Sequence, residues 1–82
     1  MGDTKIGIVC IVVEDLDQSG VLNAALHEHA KVIIGRMGIP RPDRGVSLMS
    51  VAVEATPDQM NALAGSLGRI PGIKVKSIQA EK

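Results

Sequence analysis

The sequence predicts a two-layer α+β sandwich of βαββαβ order, and three observations carry that expectation. Val46 to Ile78 reads as strand, helix, strand, and Lys5 to Met37 repeats the same plan. The two segments that are apolar on both alternating faces, Lys5 to Val13 and Val46 to Val53, are the first and third strands. That topology places those two strands at the centre of the sheet, where burial on both sides is expected.

The first strand carries Ile6, Ile8, Cys10 and Val12 on one side and Gly7, Val9, Ile11 and Val13 on the other. Glu14-Asp15-Leu16-Asp17 ends it, and a helix follows with Val21, Leu22, Ala25, Leu26 and His29 on one stripe, capped by Asp17 or Ser19. Lys31 to Met37 is the second strand, and Gly38 to Gly45, with Pro40 and Pro42, is expected as a loop. Val46 to Val53 is the third strand. Thr56 then caps the second helix, Pro57 takes its first position and Gln59 completes a capping box. Met60, Leu63, Ala64 and Leu67 repeat at helical spacing, and Gly68 stands where a left-handed C′ residue is wanted. Ile70-Pro71-Gly72 is turn chemistry. Ile73 to Ile78, with Lys74 and Lys76 alternating against Ile73 and Val75, reads as an edge strand. With right-handed crossovers the order is 4-1-3-2, a ferredoxin-like fold: a four-stranded antiparallel sheet with two helices on one face, one domain over residues 1–82.

Two helices cover one face of such a sheet, yet the central strands are apolar on the other as well. A second copy of the chain is the expected cover, giving a dimer, with a tetramer the larger alternative. The other reading is that Gly7, Ser47 and Ser50 make that face tolerable to water.

Composition removes several functions. There is no Phe, Trp or Tyr, so no platform for stacking bases, and the net charge is zero, so no basic footprint for duplex DNA. Nucleic acid is therefore not an expected partner. A single cysteine, Cys10, excludes an internal disulfide and any CxxC motif, and it is expected as a buried, inert thiol. His27 and His29 lie roughly 200° apart around a helix, so they do not chelate one ion together, and no metal or cofactor is expected. The longest apolar run, Ile8 to Val13, is too short to span a bilayer, and no secretory leader is visible. A cytoplasmic protein without membrane association is expected. No nucleophile with a base is discernible, and the acidic run Glu14 to Asp17 repels a phosphate, so catalysis is not expected.

Asp17-Gln18-Ser19-Gly20-Val21-Leu22, between first strand and first helix, resembles the D-x-x-G-V-L signature of ACT domains, regulatory modules of this same fold. Ile33-Ile34-Gly35-Arg36-Met37-Gly38-Ile39-Pro40, Arg44-Gly45-Val46-Ser47 and the stretch Asn61 to Lys76, ending in Ile70-Pro71-Gly72-Ile73-Lys74-Val75-Lys76, resemble the short ACT-like regulators of the iron-only hydrogenase system. The resemblance spans nearly the whole chain. It implies a stand-alone, oligomeric regulatory domain that binds a small effector, such as an amino acid, between subunits. The site it implies comprises Asp17, Gly20, Val21 and Leu22, facing Ile33, Ile34 and Gly35 of a neighbour. Two departures stand out: Ser19 replaces the usual proline before the signature glycine, and Lys31-Val32 replace the asparagine common at the start of the second strand. The alternative is an adaptor that binds a partner protein and no metabolite.

The topology also gathers Asp15 to Gly20, Gly38 to Gly45 and Gly68 to Gly72 at one end of the sheet. Asp15 and Asp17 could there meet Arg41, Arg44 or Arg69 in a site for a zwitterion, with Arg41 and Arg44 as ligand-binding candidates, or the charges could remain solvated surface pairs. Gly20 and Gly35 have bland readings too, as a helix-start residue and a bulge.

Overall fold

A computed structural model of the chain describes residues 3–81. Its elements are β1 (Lys5–Val13), α1 (Ser19–Glu28), β2 (Ile33–Arg41), β3 (Val46–Ala55), α2 (Pro57–Gly68) and β4 (Ile73–Gln79). All neighbours in the sheet are antiparallel, in the order β2-β3-β1-β4, which is the ferredoxin-like arrangement read from the sequence.

Alternation along β1 decides which face is the core. Gly7, Val9, Ile11 and Val13 are buried toward the helices, while Ile6, Ile8 and Cys10 are exposed on the opposite face. In β3, Val51, Val53 and Ala55 join the buried side. Leu22 and Leu26 of α1 and Leu63 and Leu67 of α2 close over them, so the core is wholly aliphatic. Gly7 is required by that packing. A Cβ there would stand 2.6 Å from Met60 Cε and 2.8 Å from the Ile78 carbonyl oxygen.

Several local expectations are corrected. Cys10 is not buried within the chain but exposed on the uncovered sheet face, because its parity along β1 is that of Ile6 and Ile8. The expected loop over Gly38 to Gly45 is mostly strand: β2 runs to Arg41, with Ile39 opposite Leu48 and Pro40 opposite Ser47. An edge strand tolerates proline because one row of its backbone groups has no ladder to complete. The reversal is confined to a 3-10 turn over Pro42–Arg44 and to Gly45, whose φ of 69° is left-handed.

Neither Asp17 nor Ser19 caps α1. Asp15 caps a preceding 3-10 turn over Leu16–Gln18 by accepting from Asp17 N, and Ser19 Oγ donates to the Leu16 carbonyl. Val21 lies outside the buried stripe of α1, and His29 stands beyond its last turn as the C-cap. Gly68 is the last residue of α2 rather than a left-handed cap, since among the described residues only Gly45 and Gly72 have positive φ.

Candidate functional site

The strand register fixes the two ends of the sheet. Val13 pairs with Ser47 and with Ile73, and Arg41 pairs with Val46, so the loop after β1, the β2–β3 hairpin and the turn before β4 share one end. That end is laced by backbone. Glu14 N and Asp15 N both donate to the Gly72 carbonyl oxygen, at 2.7 and 3.2 Å. Gly72 adopts φ 76°, and a Cβ on it would lie 2.5 Å from Asp15 Cβ, so only glycine lets the two loops close.

Of the candidate residues, Asp17, Gly20, Val21, Arg41 and Arg44 lie at this end and are exposed. Leu22 lies one residue further into α1 and is a core side chain. The charges are arranged locally. Arg41 Nε lies 3.4 Å from Asp43 Oδ1, and Lys74 Nζ lies 3.7 Å from Glu14 Oε2, both pairs well solvated. Such pairs contribute about 0–1 kcal/mol each. Among the described residues no ion pair joins Asp15 or Asp17 to Arg41, Arg44 or Arg69. No side chain caps the first turn of α1, which continues directly from the 3-10 turn, with Ser19 N donating to the Leu16 carbonyl oxygen.

Ile33, Ile34 and Gly35 lie at the opposite end of the sheet, where Ile33 pairs with Val53 and Gly35 with Ala52. The register slips between Ile33 and Gly35, a bulge that leaves Ile34 unpaired and 58% exposed. One chain therefore does not bring the two groups together. Gly20 and Gly35 share one property despite their distance. A Cβ built on either meets nothing within 4 Å, and neither has positive φ, so the folded chain itself does not require glycine at these positions.

Two features escaped the sequence. Arg36 Nη2 donates to Asn23 Oδ1 at 2.8 Å, bracing β2 against α1 and placing α1 on the β2 flank of the sheet. A cleft of about 440 Å³ at the C-terminal end of α1 is bordered by His27, Glu28, His29, Lys31 and Gln59. Both depend on how α1 crosses the sheet, for which no residue spacing is diagnostic. Among the described residues no three His, Cys, Asp or Glu side chains converge as a metal site would need, and no helix is long and apolar enough to cross a membrane.

The model of the TM1266-like family, described as "Iron-only hydrogenase system regulator, putative", matches residues 5–77. Protein TM1266 of Thermotoga maritima superposes with a TM-score of 0.90 at 29% identity, over 96% of this chain and 100% of that one. The C-terminal domain of the MgtC protein of Mycobacterium tuberculosis has the same fold at a TM-score of 0.73 and 15% identity, over 95% of this chain and 89% of that one. A formyltetrahydrofolate deformylase of Pseudomonas syringae contains the fold as well, with a TM-score of 0.64 and 10% identity, over all of this chain but 29% of its own length. No curated protein sequence matches the chain.

Proposed function

Because the chain belongs to the TM1266-like family of iron-only hydrogenase system regulators, we propose that it is a regulatory domain that senses a small zwitterionic metabolite, of the amino-acid class, between two copies of itself. The observation that carries this reading is the pair of bare glycines. Gly20 and Gly35 have open space where a side chain would stand, and glycine where the fold does not demand it suits a backbone that something else must approach closely.

The two lie at opposite ends of the sheet, but an antiparallel pairing of copies along their β2 edges sets the Gly20 end of one beside the Ile33–Gly35 end of the other. α1 lies on that flank, held there by the Asn23–Arg36 bridge. Asp17, exposed beside the start of α1, suits an ammonium group. Arg41 and Arg44 stand at the same end as an anion-binding pair. In this reading the protein performs no chemistry: ligand occupancy changes how two copies fit, and a hydrogenase-related partner reads that change.

The test is a thermal-shift screen of free amino acids and small carboxylates. A ligand present at about 100 times its Kd stabilises the folded state by about 2.7 kcal/mol, a readily measured rise in Tm for a chain of this size. Silence across the screen favours the adaptor reading instead, which draws support from the solvated state of every charged pair at the candidate end.

A further inference from the structure

From the sheet face that neither helix covers, we infer that a second copy of this chain packs there, sheet against sheet, in an antiparallel sense, forming an interface separate from the β2 edge. Ile6, Ile8, Met37, Ile39, Leu48 and Ile78 all point to this side and are exposed, Met37 by 61% and Ile78 by 72%. A solvated face of an antiparallel sheet alternates to polar residues. Here the β1 and β3 positions are apolar apart from Ser50 and the terminal Glu54, and the other charges, Arg41 on β2 and Lys74 and Lys76 on β4, lie on the edge strands.

Area, relief and charge each favour a copy of the same chain. The nine-residue β1 is about 30 Å long and four strands span roughly 19 Å, so the face offers on the order of 570 Å². Two such faces bury about 1,100 Å², which clears the roughly 1,000 Å² expected of a specific interface. The face also holds a depression of about 340 Å³, lined by Ile6, Gly7, Ile8, Cys10, Ile78 and Ala80, able to seat aliphatic side chains from an opposing sheet.

The pattern along the two central strands supplies the direction. The open-face positions of β3 are Val46, Leu48, Ser50, Ala52 and Glu54, symmetric about Ser50, and Ser50 pairs with Cys10 of β1. A two-fold axis running across the strands at that row sets Leu48 over Ala52, large on small, and carries the Glu54 end of one sheet to the end where Arg41 and Lys74 of the other stand. An axis along the strands would instead stack Glu54 toward Glu54 and Arg41 toward Lys74. The axis across the strands leaves one like-charged pair, Lys76 with Lys76 in the row of Cys10, on the β4 edge where long side chains reach water. Among the described residues Arg41 and Lys74 have only the solvated partners Asp43 and Glu14, so the charges act at the rim around a centre without charge on β1 and β3. Cys10 then lies on the axis, facing its counterpart and shut off from water.

Cys10 is also the probe. In the parent protein its reaction with dithiobis-nitrobenzoate should slow as chain concentration rises, because reaction then requires dissociation. In Ile8→Glu, which puts a charge at an already exposed position in the middle of the face, the thiol should react at least roughly tenfold faster, as an opened state does. Light scattering should report half the parent mass for that variant. Leu48→Glu, on the neighbouring strand, should do the same and serves if Ile8→Glu lacks the parent's circular dichroism. Equal thiol reactivity in parent and variant, an unchanged mass in the variants, or a parent that scatters as a single 8.6 kDa chain each overturns the inference. Failure by thiol reactivity or by variant mass leaves the proposed regulatory site at the β2 edge to be judged on its own test, whereas a single-chain parent overturns both.

Discussion

Glycines that look alike in the sequence do different work. Gly7 and Gly72 are held by their surroundings: a methyl at Gly7 collides with Met60 and with the β4 backbone, and one at Gly72 collides with Asp15. Gly7→Ala should destabilise the chain by about 1–3 kcal/mol, the range for overpacking a closed core, read as a lower urea midpoint. Gly20→Val and Gly35→Val should have the opposite effect on folding, because each side chain enters open space and valine suits a helix or a strand better than glycine does. Both variants should melt at or above the parent temperature and yet lose the response to effector. None of these distinctions was legible beforehand, since what decides them is the distance from a missing Cβ to residues far along the chain. Cys10 makes the same point: its apolar neighbours along β1 suggested burial, whereas the side it shares with Ile6 and Ile8 has no helix above it.

Elements were legible in proportion to how local their signals are. For α2 everything needed lies within thirteen residues: Thr56 Oγ1 accepts from Gln59 N at 3.1 Å, Gln59 Oε1 accepts from Thr56 N at 2.9 Å, and Met60, Leu63 and Leu67 form the buried stripe. Thr56→Ala should therefore cost about 1 kcal/mol. Gly65→Ala, at an exposed position whose new methyl makes only an ordinary 3.9 Å contact with Arg69, should gain up to about 1 kcal/mol; paired thermal melts check both. The start of α1 was less legible, because Asp15, Asp17 and Ser19 all have capping chemistry and only the 3-10 turn between them shows which group each engages. For β2, Pro40 and Pro42 suggested a loop. Proline punctuates an interior strand, but β2 is an edge, and only the sheet order distinguishes the two.

At the scale of the whole molecule the βαββαβ topology and strand order were readable because the strands with two apolar faces had to be central, and β1 and β3 are. The candidate site was readable only as two halves, since one chain holds Asp17, Gly20 and Val21 at one end of its sheet and Ile33 to Gly35 at the other. The proposal that two copies complete it is tested most directly by mixing. Gly20→Val and Gly35→Val chains are unfolded together, refolded together, and examined for a thermal shift with the amino acid that stabilises the parent. Each variant alone spoils every shared site, whereas random pairing leaves one intact site in each mixed dimer, about a quarter of the parent total. The account predicts no shift for either variant alone and a partial shift restored in the mixture. A mixture as unresponsive as its two components, with the parent responding, would contradict it.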